Sequence, residues 1–352
     1  MSEDDERPVG ALLVGSVPLT NARTVMTTAS AILGRHLRRV PDGETGERST
    51  WIAWQADVFR RHADFEIEEP PPGQYAPLPR FRLREGVDAA ALRFDDLGYA
   101  GAATNSFAEF ARLKAEGVIP AGVRFQVSLP TPLAPVSQFV GERDKAVVEP
   151  AYEEALLREL SEIVAAIPKD ELSIQWDIAV EMGIWEGLGG IFFGAWFDDP
   201  KRGIVERIER AARAVPLEVE LGFHLCYGDF AHEHFMQPRD TRNLVEVANA
   251  ISDAVTRPIQ WLHMPVPRDR DDDAYFAPLR ELRLHPETEL YLGLVHYTDA
   301  EEGTLRRIEA AKRAVEHFGV ATECGLGRRP AETIAPLMRI HAAVAAPVRA
   351  DP

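Results

Sequence analysis

The sequence predicts an α/β protein, a closed (β/α)8 barrel of the TIM-barrel class, and three observations support this prediction. Short apolar runs recur along the chain, helical patterns separate them, and the 352 residues exceed the roughly 250 that such a barrel needs. Eight runs are candidate strands, at residues 11–16, 36–41, 123–129, 172–177, 217–226, 258–264, 289–295 and 319–324. A doubly wound open sheet is the alternative, because periodicity does not distinguish a closed barrel from a sheet with two edges.

The segments between the later strands have the pattern of helices. Alanine and leucine recur at intervals of three and four residues in four stretches, at 152–167, 203–214, 242–255 and 300–318. Because each stretch lies between two candidate strands, it predicts the crossover helix of a parallel βαβ unit. Residues 183–200 and 268–273 break the pattern, and we expect them to be loops over one face of the barrel.

Residues 55–120 are longer than a crossover requires and predict an insertion. Apolar runs at 65–67 and 81–83 flank a proline-rich turn at 69–73, which indicates an inserted hairpin followed by helices. The sequence contains no repeat longer than one βα unit and no low-complexity linker. We therefore expect a single domain over residues 1–352, with the acidic segment 1–9 as a flexible tail.

The net charge of the chain limits the kinds of partner that we expect it to bind. Acidic residues number 56 and basic residues 39, which gives a formal charge of -17 and argues against nucleic acid and anionic membranes as partners. The acidic start of the chain lacks the features of a secretory signal, and no apolar run approaches the roughly 20 residues that cross a bilayer. We expect a cytoplasmic protein that acts on small molecules.

The two cysteines, Cys226 and Cys324, both end candidate strands. His224 precedes Cys226 by two residues, so its imidazole and the thiol project from the same side of one strand. The carboxyl ends of all strands in an α/β barrel meet at one mouth, which would bring Cys324 to the same place. The three side chains therefore predict a metal site; the alternative is that each cysteine is an inert buried residue.

Five short motifs, in order along the chain, resemble those of the cobalamin-independent methionine synthase family. That family belongs to a wider group that includes uroporphyrinogen decarboxylase. The motifs are Gly15-Ser16-Val17-Pro18, Gly43-Glu44-Thr45-Gly46-Glu47-Arg48, Gln175-Trp176-Asp177, His224-Leu225-Cys226-Tyr227 and Glu323-Cys324-Gly325-Leu326. They span almost the whole chain, and its length suits the short core form of the family, which has one barrel.

The resemblance implies a zinc site formed by His224, Cys226 and Cys324. The family's fourth ligand is a glutamate at the end of the next strand, and the corresponding stretch, 258–265, contains no glutamate. His263 is the nearest group there that can coordinate a metal, so we expect it to replace the glutamate. The alternative is a histidine of the core or of the barrel mouth that binds no metal.

The resemblance also implies how an amino-acid substrate is bound. Ser16 and its backbone would receive the carboxylate, and Glu44 and Asp177 would bind the ammonium group. The alternatives are a solvated turn residue for Glu44 and a helix cap for Asp177. His296 matches a family histidine suited to proton donation, but Leu294 stands where the family has its aspartate partner.

These features lead to a first hypothesis, a zinc-dependent transfer of a methyl or other alkyl group to a thiol such as homocysteine. The donor would be a folate or a corrinoid protein, and an anionic folate would need a basic patch. The basic residues considered for that patch are Arg35, Arg38, Arg39 and Arg48. The competing hypotheses are a lyase similar to uroporphyrinogen decarboxylase and a non-catalytic homologue that binds an amino acid. The sequence His232-Glu233-His234 is interpreted as part of the surface.

Overall fold

The computed structural model describes residues 7–68, 78–228 and 234–348. Its strands within these ranges are β1 (Ala11–Leu12), β2 (Arg39–Pro41), β3 (Phe65–Glu68), β4 (Arg80–Leu83), β5 (Arg124–Pro130), β6 (Leu172–Ile178), β7 (Glu220–Leu225), β8 (Trp261–Pro265), β9 (Glu289–Val295) and β10 (Gly319–Thr322). Eight of them form one sheet, and β3 and β4 form a separate hairpin. All eight predicted barrel strands are therefore present, although β1, β2, β7, β8 and β10 are shorter than predicted.

The main sheet is a nearly closed barrel. Its strands follow the order β1-β10-β9-β8-β7-β6-β5-β2, and all seven neighbouring pairs are parallel. Eight parallel strands with helices around them confirm the predicted TIM-barrel class over the open-sheet alternative. β1 and β2 stand at the two ends of this order, so the residual gap in the barrel lies between them.

Helices cover the outside of the barrel. In the described ranges they are α1 (Ala22–Leu33), α2 (Ala56–Arg61), α3 (Tyr99–Ala115), α4 (Leu133–Phe139), α5 (Lys145–Ala166), α6 (Val180–Trp185), α7 (Gly190–Phe193), α8 (Pro200–Arg213), α9 (Arg242–Ala254), α10 (Asp273–Phe276), α11 (Ala300–Lys312) and α12 (Ile334–Val344). The four predicted crossover helices are present as α5, α8, α9 and α11. The stretch 183–200 differs from the predicted loop, because α7 and the end of α6 lie within it.

Local sequence explains where the crossover helix α8 begins. The Asp199 side chain accepts a hydrogen bond from the Arg202 backbone N–H at 3.3 Å, which satisfies one of the free donors of the first turn. Pro200 occupies the first helical position, where its missing N–H costs nothing and its fixed φ suits the helix. The helix therefore starts directly after the acidic residue that ends the preceding loop.

The insertion is a hairpin followed by helices, as predicted. β3 and β4 pair antiparallel, with Phe65 opposite Leu83, and α3 follows before the chain returns to the barrel at β5. Aromatic rings join the hairpin to α2 and α5: the ring of Phe59 lies 5.4 Å from Phe65, 5.9 Å from Phe81 and 5.8 Å from Tyr152, between centroids. The predicted turn at 69–73 lies outside the described residues.

The barrel interior contains a small apolar cluster, buried glutamines and, at the amino ends of the strands, a charged network. Leu12, Val14, Trp261, Tyr291 and Ala321 form a small cluster inside it, apart from the larger core between sheet and helices. Below this cluster a buried guanidinium is held between two carboxylates, and the three residues involved form the barrel floor. They are Arg39, Glu220 and Glu289, the first residues of β2, β7 and β9.

The barrel floor overturns part of the proposed basic patch. Arg39 lies 3.3 Å from carboxylate oxygens of Glu220 and Glu289, and Arg38 also pairs with Glu289. These arginines are at the amino ends of the strands, whereas the carboxyl ends carry the motif residues. They therefore form no part of a donor site at the mouth. Within the residues described, no helix combines the length and the apolar character needed to cross a membrane.

Candidate functional site

Three predicted ligands come together at the carboxyl ends of the strands. His224 lies in β7, Cys226 follows the end of β7, and Cys324 follows β10 by two residues. The two sulfur atoms are 3.4 Å apart, and the Cys324 Sγ lies 3.7 Å from His224 Nε2. The three donor atoms all lie within 4.8 Å of one another, and both cysteines are free thiols. We call these three residues the ligand cluster.

The ligand cluster fits a zinc ion. With Zn–S near 2.3 Å and Zn–N near 2.05 Å, a tetrahedral ion places two sulfur ligands about 3.8 Å apart and sulfur and nitrogen about 3.6 Å apart. The observed 3.4 Å and 3.7 Å differ from these values by a few tenths of an ångström. The Gly228 N–H donates to the Cys226 sulfur at 3.2 Å. Two thiolates and an imidazole form a donor set that suits zinc.

His263, the expected fourth ligand, lies outside the ligand cluster. β8 pairs with β7 so that His263 is directly opposite His224, and their Nδ1 atoms are 2.7 Å apart. The Nε2 of His263 faces the Thr322 carbonyl oxygen at 3.0 Å. Both nitrogens of His263 therefore have partners, and neither is directed at the sulfur atoms. This arrangement corrects the expectation that the histidine takes the place of the family's glutamate.

Ser16 contacts the loop that carries Cys324. The Leu326 N–H donates to the Ser16 carbonyl oxygen at 2.7 Å, and the Gly327 N–H donates to Ser16 Oγ at 3.2 Å. A Cβ on Gly325 would overlap the Ser16 hydroxyl, so only glycine fits this approach. Ser16 is thus held beside the cluster by the chain that follows β10.

Asp177 lies on the same level of the sheet as the ligand cluster. It pairs in register with His224 on the neighbouring strand and is buried. The Trp51 indole N–H donates to Oδ2 at 3.1 Å, and the Gln175 amide donates to Oδ1 at 3.0 Å. Burial raises the pKa of Asp177 to about 7, although these two hydrogen bonds act in the opposite direction.

Glu44 follows β2 and lies close enough to Asp177 for the two carboxyl groups to interact electrostatically. Its backbone is in the left-handed region, with φ of 47°, and its N–H donates to Asp42 Oδ1 at 2.8 Å. Desolvation and, to a smaller extent, the charge of Asp177 raise the pKa of Glu44 to about 8. A strained, desolvated carboxylate next to a second one is typical of a functional position and differs from a solvated turn residue.

Trp51 was not found by sequence reasoning. It follows the Gly43–Arg48 motif and also has a positive φ, of 57°, which is unusual for a large side chain. Its partner, Asp177, is 126 positions away in sequence, and no spacing or motif signals the contact. The positive φ is visible only in the folded backbone.

His296 has a charged partner that the sequence did not indicate. Its Nδ1 lies 3.1 Å from Glu323 Oε2, and its Nε2 lies 2.9 Å from the Val266 carbonyl oxygen. Arg329 holds the other oxygen of Glu323 at 2.5 Å. Burial lowers the pKa of His296 to about 3, so the ring is neutral near pH 7, and the Val266 carbonyl oxygen requires its hydrogen atom on Nε2. Glu323, directly before Cys324, thus supplies the partner that Leu294 lacks.

His234 differs from its interpretation as part of the surface, whereas His232 and Glu233 lie outside the described residues. The ring of His234 is half-buried, 5.9 Å from the ring of Tyr227, and its Nδ1 has no hydrogen-bond partner among the described atoms. Desolvation lowers the pKa of His234 to about 4, and charges at Glu323 and His296 also act on it. The loop after β7 therefore brings a further imidazole towards the mouth.

Comparisons with known proteins give a fold likeness only. No family model and no curated protein matches the chain. Similar solved structures include a Listeria monocytogenes protein assigned as a vitamin-B12-independent methionine synthase, at 12% identity and a TM-score of 0.56. The match covers 96% of this chain and 97% of that one.

Two further structures are similar over most of their length. One is a B12-independent methionine synthase from Shewanella sp. W3-18-1 in complex with selenomethionine, at 15% identity, a TM-score of 0.57 and 96% coverage of both chains. The other is a methyltransferase from Methanosarcina mazei, at 13% identity and a TM-score of 0.54, covering 96% of this chain and 94% of that one. These likenesses agree with the barrel architecture.

Proposed function

We propose that the protein is a zinc-dependent methyltransferase, or more generally an alkyltransferase, that acts on a small thiol. The observation that carries this proposal is the ligand cluster at the mouth of the barrel, with its donor atoms at the spacing of a zinc site. Bound zinc would hold a substrate thiol as the thiolate near neutral pH, where a free thiol of pKa about 8.5 is mostly protonated. The similar methionine synthase and methyltransferase structures support this reading.

The residues around the cluster suit an amino-acid thiol such as homocysteine. Ser16, beside the Cys324 loop, offers its hydroxyl and backbone to the substrate carboxylate. Asp177 and Glu44 form a pair of acceptors for the ammonium group. Desolvation is the main cause of their raised pKa values, so a negative charge on either carboxylate is unfavourable without a cation, and an ammonium ion would reduce that cost.

The transfer itself is a displacement at carbon. A bond forms between the substrate sulfur and the methyl carbon, while the bond from that carbon to a nitrogen or cobalt atom of the donor breaks. The electron pair of the breaking bond stays on the donor, and the thiol proton has left before the attack. In our proposal the proton that a nitrogen leaving group takes up reaches it through His296.

The donor is a methylated folate or a methylated corrinoid carried by a protein. Arg38 and Arg39 pair with a carboxylate of the barrel floor, away from the mouth. Arg48 is paired with Asp42. We therefore propose either donor, and an assay with each of them distinguishes the two. The two free thiols need a reducing compartment, so we place the reaction in the cytoplasm and assign it to one domain over residues 1–352.

A metal analysis joined to a methyl-transfer assay tests the proposal. We expect the purified protein to carry about one zinc per chain, and we expect Cys226→Ser and Cys324→Ser each to lose most of it. With homocysteine and either labelled methyltetrahydrofolate or methylcobalamin, labelled methionine should form with the wild-type protein and not with these variants. Thr256→Ser, an exposed substitution away from the cluster, is the control.

Three results would contradict the proposal. Methyl transfer that survives complete removal of zinc would contradict the zinc-dependent mechanism, and decarboxylation by the metal-free protein would favour the lyase hypothesis. Zinc retained by both cysteine variants would show that the cluster is not the metal site. Binding of homocysteine without transfer from either donor would favour the non-catalytic hypothesis.

A further inference from the structure

His263 occupies the strand position next to the ligand cluster without joining it. Its side chain is fully buried, and its ring lies 4.7 Å from the ring of His224 between centroids. One nitrogen faces the Thr322 carbonyl oxygen at 3.0 Å, and the other faces His224 Nδ1 at 2.7 Å. A chain of two contacts therefore runs from a backbone carbonyl through His263 to a predicted ligand.

The chemistry of these contacts fixes where the hydrogen atoms lie. A carbonyl oxygen only accepts, so His263 Nε2 must carry a hydrogen atom. Both rings are buried side by side, which excludes a charged imidazolium, and a neutral imidazole has a single N–H. His263 Nδ1 is therefore an acceptor, and the hydrogen between the rings belongs to His224 Nδ1.

This assignment leaves His224 Nε2 without a hydrogen atom. That nitrogen faces Cys324 Sγ at 3.7 Å and is the ring nitrogen that belongs to the ligand cluster. A histidine that binds a metal through one nitrogen commonly donates its other N–H to a fixed acceptor. In this protein the acceptor is a second imidazole, itself held by the backbone next to the strand that leads to Cys324.

We propose that His263 is a positioning residue and not a ligand: it holds His224 with Nε2 free for the metal, so three protein ligands bind the ion. The fourth position is then left for the substrate thiol. Two thiolates balance the charge of a zinc ion, so the site would be neutral before substrate binds, whereas a fourth carboxylate ligand would make it negative. This inference rests on the metal site of the proposed function and not on methyl transfer.

X-ray absorption on the zinc-loaded wild-type protein is the first test. We expect two sulfur ligands, one imidazole and one light atom from solvent. A second imidazole at the metal would overturn the proposal. The metal-free protein gives an independent readout, because nitrogen-15 shifts distinguish the two forms of a neutral imidazole. We expect His224 to carry its hydrogen on Nδ1, and a hydrogen on Nε2 would overturn the proposal.

Two substitutions of His263 distinguish a role in positioning His224 from the mere loss of a buried side chain. His263→Ala leaves the His224 N–H without an acceptor, and we expect zinc affinity to fall about 10- to 100-fold, as for other outer partners of metal-binding histidines. His263→Asn offers an amide oxygen near the position of the lost Nδ1 and should restore most of the affinity. His341→Ala, which removes a fully buried histidine of α12, controls for the loss of a buried ring.

The outcomes distinguish this inference from the proposed function. Unchanged zinc affinity in His263→Ala would overturn the positioning role, whereas a 10-fold loss that Asn repairs and His341→Ala does not share supports it. A three-ligand zinc site in a protein that transfers no methyl group would refute the proposed function and leave this inference intact. Methyl transfer by a zinc site with two imidazole ligands would support the proposed function and refute this inference.

Discussion

At the scale of single residues, the site contains groups whose burial or backbone conformation lowers the stability of the folded chain. Asp177 is buried with a pKa raised to about 7, and Glu44 has a positive φ and a pKa raised to about 8. Trp51, also at positive φ, donates to Asp177. Strain and desolvation on these groups agree with the cationic ligand of the proposed function.

Replacement of Asp177 by asparagine should make the protein more stable at high pH and weaken substrate binding. Because the folded pKa of about 7 exceeds the ordinary 3.8, the carboxylate lowers stability progressively as pH rises from about 4 to 7. We expect Asp177→Asn to gain about 2 kcal/mol in free energy of unfolding at pH 8 and little at pH 4. Urea denaturation at both pH values measures this gain.

The same variant should bind homocysteine at least about 10-fold more weakly in calorimetry, since a charged acceptor for the ammonium group is gone. Asp253→Asn, on the exposed face of α9, should change neither quantity by more than about 0.5 kcal/mol. A less stable Asp177→Asn protein at pH 8 would show that the carboxylate is structural.

At the scale of elements, the site is assembled from the last residues of strands and from the chain segments just beyond them. β1 has only two residues, and the chain after it is held by the loop after β10, through the contacts between Ser16 and residues 325–327. The cluster cysteines lie in the same kind of position, after β7 and β10. Because the strands are short, the backbone after them can turn so that the ligands point into the barrel. The pairing of β6, β7 and β8 places Asp177, His224 and His263 at the same level along the barrel.

A methyl group on Gly325 should disturb the metal site through Ser16. Gly325→Ala places a Cβ against the Ser16 hydroxyl, next to Cys324, and the loop must shift to accept it. We expect zinc affinity to fall about 10-fold and stability by about 1–3 kcal/mol. Gly122→Ala, where no atom lies within 4 Å of the new Cβ, is the matched control. Equal zinc binding by both variants would contradict this account of the loop.

At the scale of the whole molecule, the barrel separates a charged floor from the mouth that carries the ligand cluster. Arg39 is 2% exposed and lies 4.1 Å above the ring of Trp261, between the carboxylates of Glu220 and Glu289. The small apolar cluster inside the barrel lies between this network and the ligand cluster. The floor therefore contributes to the stability of the barrel and not to the chemistry at the mouth.

Removal of the floor guanidinium should lower stability and leave the metal site intact. Arg39→Ala leaves two partly buried carboxylates without their shared cation, and we expect a loss of about 3 kcal/mol in free energy of unfolding. Zinc affinity should stay within about 2-fold of wild type, because the cluster lies at the other end of the strands. Arg61→Ala, an exposed arginine of α2, is the control. Loss of zinc in Arg39→Ala alone would contradict this separation.

The sequence by itself determined the barrel, the inserted hairpin and the strand ends at which His224, Cys226 and Cys324 stand. These features depend on local periodicity and on the alternation of side chains along a strand, which the order of residues sets directly. The convergence of the ligand cluster followed from topology, because the carboxyl ends of parallel strands meet at one mouth.

Only the tertiary structure decided which partner each polar side chain takes. His263 stands at the position expected for a ligand, yet its nitrogens pair with His224 and Thr322. Glu323 replaced the missing partner of His296, and Trp51 reached Asp177 from 126 positions away. Hydrogen bonds between side chains depend on distances and ring orientations set by distant elements, and sequence spacing does not contain that information.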